Sequence, residues 1–289
     1  MKRKLTGEKP AINMPEGATD TQNHVYLQGF PSAPGGIDLP LGDAGPRAYR
    51  EMMDWLGLDR TVITQANTHM FDNSNLCAAL EFFGDRARGV AVITAETSGQ
   101  ELQRLHDAGV RGARIMDFPG GAMPLARVPE IMDIAADMGW VLSVQFDGSR
   151  IIEHVALLNS IPGRFIIDHH AKFQSSVDPS DPKIDTILSL MDHGNCWFKL
   201  AGCYQTFNSA LPDCPQVSAI SRRIVAHAAE RVIWGTNWPH GDALKTEDYP
   251  NDVDLLNLLA DWAPLEGDQT KILSDNPAEL FDFEHIVSL

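Results

Sequence analysis

Eight short apolar runs, each followed by a stretch of helical periodicity, limit what this chain can become. The runs cover residues 19–26, 61–67, 89–94, 112–117, 141–146, 165–169, 196–202 and 232–237. Between them, apolar residues recur with helical spacing over 48–56, 76–83, 99–108, 128–138, 151–160, 184–191 and 217–229, and a last helical region follows the eighth run. Strand–helix units in series predict a parallel sheet, and eight of them predict closure into a single (β/α)8 TIM-type barrel of the α/β class. Val90-Ala91-Val92-Ile93 is apolar at every position, as a strand buried on both faces must be. Gly139, Gly163 and Gly194 stand where helices should end and are expected to cap them. The 289 residues accommodate one barrel over 17–289. Residues 1–16, polar and interrupted by Pro10 and Pro15, read as an N-terminal arm, lying on the barrel or disordered, with no assigned function. The competing fold is an open doubly wound sheet. It is disfavoured because no Gly-rich phosphate turn follows an early strand.

The net charge of -16 excludes nucleic acid and anionic membranes as expected partners. It also means that an anionic substrate needs cations close by to hold it. No apolar run reaches the ~20 residues of a membrane span. Met1-Lys2-Arg3-Lys4 is basic, but no apolar stretch follows as in a secretion signal. Cys77, Cys196, Cys203 and Cys214 lack metal-binding spacing and read as reduced thiols of a cytoplasmic enzyme.

In a parallel barrel the active site forms from the C-terminal ends of the strands. Those ends carry Gln22, Asn23 and His24 on strand one; Gln65, Asn67 and then His69 on strand two; and Arg114 and Asp117 on strand four. Strand five ends in Gln145 and Asp147, and strand six in Asp168, His169 and His170 with Lys172 after them. Tyr204 and Gln205 follow strand seven, and Asn237 and His240 close strand eight. His69 and His240 read equally well as loop hydrogen bonders or as site residues. Alternation along a strand turns His170 away from His169, and Asp168 as well, so Asp168 reads as structural. Trp197, Trp234 and Trp238 read as packing. Arg114 sits in an apolar strand; binding an anionic substrate is favoured over an ion pair with Asp117 or another barrel carboxylate.

Asp20-Thr21-Gln22-Asn23-His24-Val25-Tyr26, Ile167-Asp168-His169 and Val232-Ile233-Trp234-Gly235-Thr236-Asn237-Trp238-Pro239-His240 together resemble the amidohydrolase superfamily. Arg114 adds to the match, which runs from about Gly17 to Phe283. The resemblance is to the amidohydrolase-2 branch, which contains the pyrone-dicarboxylate lactonases, and it implies an amidohydrolase-like barrel. The departures carry more information. The family's strand-one His-x-His is here Gln22-x-His24, and its strand-eight aspartate is Asn237. In metal-dependent members those groups bind the metal, and the aspartate takes a proton from the attacking water. Gln22 is a poor substitute for imidazole on zinc, and Asn237 has no anionic oxygen. Where some relatives carry a carboxylated lysine on strand four, this chain has Arg114. No metal and no cofactor are therefore expected; the related pyrone lactonases are themselves understood to work without a metal.

Replacing Asp by Asn removes the usual hydrolytic base. His169 and His24 remain to donate to an oxyanion or shuttle a proton, with Asn237 beside them as the third catalytic residue. Such a site suits intramolecular acyl transfer, in which a hydroxyl of a six-membered sugar lactone attacks the carbonyl and yields the five-membered lactone. Arg114 supplies one carboxylate contact, and the following Phe118-Pro119-Gly120-Gly121-Ala122 offers no second arginine. Gln22, Gln65, Asn67, His69, Gln145, Lys172, Gln205 and His240 complete the expected substrate-binding set, largely neutral groups suited to hydroxyls. One carboxylate plus hydroxyls describes an aldaric acid monolactone, an anionic sugar lactone as the small-molecule partner. The resemblance implies galactarate as the acid, in galacturonate and galactarate catabolism. Two alternatives stand: a metal-independent lactonase using another base, such as His240 or Asp242, and a non-catalytic acid-binding barrel. The helices show no sustained heptads, so no oligomeric state is predicted.

Overall fold

The computed structural model describes residues 1–207 and 209–284. Eight strands, β1 (Thr19–Asn23), β2 (Arg60–Thr64), β3 (Ala87–Ala91), β4 (Val110–Met116), β5 (Val141–Gln145), β6 (Phe165–Ile167), β7 (Cys196–Ala201) and β8 (Val232–Gly235), pair in parallel in sequence order. A parallel bridge between Asn23 and Trp238 brings the two edges together. It is reinforced by His24 N donating to Trp238 O and Asn237 N to Gln22 O, both at 2.8 Å. The barrel expectation holds. Seven helices alternate with the strands: α1 (Pro46–Leu56), α2 (Ser74–Phe83), α3 (Gly99–Asp107), α4 (Val128–Asp137), α5 (Ile151–Asn159), α6 (Pro182–Asp192) and α7 (Pro215–Ala228). Among the described residues, three more follow β8: α8 (Asp252–Trp262), α9 (Glu266–Thr270) and α10 (Asn276–Phe281). No helix among the described residues is long and apolar enough to cross a membrane.

The barrel interior has two layers. Near the strand starts, Val62, Val90, Val141, Ile166, Trp197 and Ile233 form an apolar cluster, joined by Ala278, Leu280 and Phe281 of α10. Nearer the strand ends the buried side chains are polar: Gln22, Arg114, Ser143, Asp168 and Lys199. Apolar packing holds the lower layer shut, so chemistry is confined to the upper one.

Several expected boundaries move. β3 begins and ends earlier than its apolar run. Beyond its end, Asn73 replaces a strand neighbour by bonding both Val92 O (2.9 Å) and Val92 N (3.0 Å) through its side chain. β1, β2 and β8 stop short as well, releasing their polar ends from the sheet. Gly139 and Gly194 follow α4 and α6 with left-handed φ of 68° and 85°. Gly163 does not cap α5. That helix ends at Asn159 with Ser160 as its cap, and Gly163 instead lets the chain pass Ala136, whose Cβ would lie 3.1 Å from an added Cβ. The first residues lie against the barrel: Arg3 donates to Asp43 O (2.8 Å) and Pro239 O (3.3 Å), its guanidinium over the Trp238 ring.

Candidate active site

A buried ion pair lies at the strand ends. Lys199 Nζ of β7 lies 2.9 Å from Gln22 Oε1 and 3.2 Å from Asp168 Oδ2. Ser143 Oγ donates to the same Asp168 oxygen at 2.6 Å. Burial alone would raise the Asp168 carboxyl, but Lys199, His169 and Ser143 outweigh it and hold it well below the usual carboxylate range. Asp168 is therefore part of the site rather than turned away from His169. The reason is local: β6 ends at Ile167, and His169, His170, Ala171 and Lys172 all take positive φ, so strand alternation stops applying. Asp168 Oδ1 accepts from both His169 N and His169 Nδ1 at 2.9 Å. His170 does face elsewhere, toward Ser221 Oγ at 3.0 Å.

From His169 a chain of hydrogen bonds runs outward. His169 Nε2 lies 3.1 Å from Asn237 Oδ1, and Asn237 Nδ2 donates to the Tyr204 hydroxyl at 2.9 Å. Tyr204 Oη meets His240 Nδ1 at 2.5 Å, and His240 Nε2 meets Asp252 Oδ1 at 2.8 Å. His240 thus stands behind Tyr204, both nitrogens engaged. Two glycines allow the close approach. A Cβ on Gly202, itself at φ 59°, would lie 3.1 Å from Asn237 Nδ2, and one on Gly235 would lie 2.5 Å from Gln22 Cβ.

His24, the residue after β1, lies near this row. Its Nδ1 bonds Thr64 O at 2.8 Å, which fixes the proton there and leaves Nε2 as a lone pair. Burial, with the positive charge of Arg114, pushes the His24 imidazole down to about 3. Burial lowers His169 too, against the pull of Asp168. The His24 ring is neutral at pH 7.

Arg114 is 3% exposed and pairs with no carboxylate among the described residues. It donates to Gln65 O (2.7 Å) and Gln145 Oε1 (3.3 Å), and its buried Nε has no partner. Asp117, the expected competitor, accepts from Leu125 N instead. Lys172 rests over the Phe118 ring, its pKa lowered by burial. Gln65 Nε2 holds the next loop through Asp72 O and Met70 O, while Gln65 Oε1 and Asn67 Oδ1 are buried without partners. His69 bonds Pro31 O at 3.2 Å, beneath a loop that also bonds Thr68 through Ala33 N. Gln205 Nε2 is tied to Asp242 Oδ2 at 2.6 Å.

The sequence profile of the amidohydrolase family matches residues 24–283. The chain belongs to the amidohydrolase family. It is 43% identical over 280 residues to D-galactarolactone isomerase of Agrobacterium fabrum, covering 96% of each chain. It is 32% identical over 287 residues to 2-pyrone-4,6-dicarbaxylate hydrolase of Comamonas testosteroni, covering 94% of this chain and 92% of the other. The crystal structure of an Agrobacterium tumefaciens protein in its apo form superposes with a TM-score of 0.95 at 42% identity, covering 98% of this chain and all of that one. Enzymes acting on lactones are thus the relatives of this amidohydrolase.

Metal-dependent amidohydrolases place a cation among strand-end histidines and an aspartate. The residues of this amidohydrolase do not fit one. Among the described residues, no three His, Cys, Asp or Glu side chains converge as a ligand set. Gln22 Oε1, at the position of a family ligand, already accepts from the Lys199 ammonium. Reading from strand ends alone missed Lys199, Ser143 and Asp252. Lys199 had a signal: it is the one charge in Cys196-Trp197-Phe198-Lys199-Leu200-Ala201, and it shares a face with Trp197 of the barrel interior.

Proposed function

We propose that this amidohydrolase converts an aldaric acid 1,5-lactone, D-galactaro-1,5-lactone, to the 1,4-lactone by intramolecular acyl transfer without a metal. The observation that carries this reading is the amide of Asn237 beside His169, where water attack would call for a carboxylate. Similarity to an enzyme called D-galactarolactone isomerase supports the same substrate.

In this mechanism the free carboxylate of the substrate sits against Arg114 and Lys172. Gln65, Asn67 and Gln145 meet its hydroxyls. The hydroxyl on C4 attacks C1, passing its proton to His24 Nε2, the lone pair left free by the Thr64 bond. The tetrahedral centre then collapses, the C1–O5 bond breaks, and O5 takes the proton back from His24. No water is consumed and no net proton moves. Arg114 is one cause of the low basicity of His24; a carboxylate seated on Arg114 cancels that charge, so substrate binding itself strengthens the base. High effective molarity lets a weak base suffice. The anionic substrate and this chemistry suit a cytoplasmic enzyme of galacturonate and galactarate breakdown.

Incubation with galactaro-1,5-lactone in H2 18O, followed by NMR and mass spectrometry, tests the reading. Build-up of unlabelled 1,4-lactone is expected. Prompt release of open-chain acid with label in its carboxylate would sink the isomerase and favour a lactonase, the second reading, which similarity to a pyrone-dicarboxylate hydrolase supports.

A further inference from the structure

Lys199 is fully buried on β7, yet the mechanism above gives it no task. Burying an ammonium is unfavourable unless it is paired and hydrogen-bonded. Asp168 accounts for the pairing. The contact with Gln22 does something further. An ammonium can only donate, so the group 2.9 Å away must be the carbonyl oxygen of the Gln22 amide. Thr64 Oγ1 donates to the same oxygen at 3.4 Å. The two ends of that amide are thereby distinguished, and Nε2 must point away from Lys199. There it is buried and has no acceptor. An orphaned buried donor is costly, and Gln22 and His24 share a neighbour, Thr64, which donates its hydroxyl to Gln22 Oε1 and accepts from His24 Nδ1 through its carbonyl.

We propose that Lys199 is a positioning residue that locks the Gln22 amide, making Gln22 Nε2 the donor that receives the oxyanion formed at the lactone carbonyl. Lys199 and Gln22 together take the electrostatic place that a metal ion has in metal-dependent amidohydrolases. The ammonium does not touch substrate; its charge is balanced by Asp168, and it acts through the amide it orients. This assignment rests on lactone chemistry at the site but is indifferent to whether hydroxyl or water attacks, because both routes pass through the same oxyanion.

A double-mutant cycle of Gln22→Glu and Lys199→Met, with kcat and KM read for each variant, tests the assignment. Gln22→Glu keeps side-chain length and leaves Lys199 an acceptor in the same place, while its carboxylate has no N–H to donate; far-UV circular dichroism checks that the variant is folded. Its kcat is expected to fall about a hundredfold, with KM within about threefold of wild type. Lys199→Met is expected to show the same split. Because it acts through Gln22, it should cost no more than about threefold further in the Gln22→Glu background. A residue that merely holds the fold together would instead cost the same in both backgrounds. Kcat for Gln22→Glu within about threefold of wild type overturns the assignment, and this variant decides alone if Lys199→Met does not fold. A wild type inactive on every lactone overturns function and assignment together, whereas an active wild type with an unaffected Gln22→Glu overturns the assignment only.

Discussion

His169 Nε2 lies 3.1 Å from the Asn237 side-chain oxygen, and the other His169 nitrogen is 2.9 Å from Asp168. A primary amide can turn to suit either state of that ring. With its oxygen toward His169 it accepts from an imidazolium; with its nitrogen there it donates to a neutral ring. A carboxylate would suit only the first. Asn237 therefore suits His169 in either state, while burial favours the neutral one.

Asn237→Asp restores an anionic base at that point. The expected result is a change of product: open-chain acid at the expense of the 1,4-lactone, with a raised His169 pKa. NMR product ratios and a histidine titration measure both. An unchanged product mixture would show that Asn237 does not decide between hydroxyl and water.

Arg114→Met should separate function from stability. Losing a buried contact to the substrate carboxylate costs about 2–5 kcal/mol, a rise in KM of about thirtyfold or more. The folded protein should hold or gain stability, because the guanidinium is buried without a carboxylate partner. Steady-state kinetics and thermal melting together check this. A large fall in Tm would mean that Arg114 serves the fold.

Acid should weaken the fold through neutral buried histidines. His170 is 1% exposed and its pKa is lowered by burial from 6.5 to about 3. A base with a depressed folded pKa contributes stability fully above the unfolded value, and that contribution shrinks as pH falls from about 6.5 toward 3. The slope is about 1.4 kcal/mol per pH unit for one proton. Urea unfolding at intervals from pH 7 to pH 4 should show this slope, and His170→Gln should reduce it. His24, also lowered to about 3, adds a smaller share because it is partly exposed.

Arg3 links the N-terminal residues to the loop carrying His240. Arg3→Ala removes its bonds to Asp43 O and Pro239 O and its stacking over Trp238. A loss of about 1–3 kcal/mol in unfolding free energy is expected by denaturant titration. No loss would show the arm to be dispensable for stability.

The strand-end residues were legible because period-two alternation and helical spacing are local properties, readable without contacts. Eight units of them determine a barrel, and a barrel determines that Gln22, His24, Arg114, Gln145 and Asn237 stand at one end of it. Alternation failed at Asp168, because β6 stops at Ile167 and left-handed residues follow from His169 on, which brings Asp168 and His169 together beside Lys199 and Asn237. Nor does any local pattern reveal partners. That Arg114 lacks a carboxylate, that Lys199 reaches Gln22 across 177 residues of chain, and that His240 stands behind Tyr204 depend on side chains from different strands meeting in space. By itself the sequence determined which polar groups the pocket contains and that Asn237 is uncharged. Only the tertiary structure decided which of their donors and acceptors are already paired, because pairing depends on distances between strands that lie far apart in the chain.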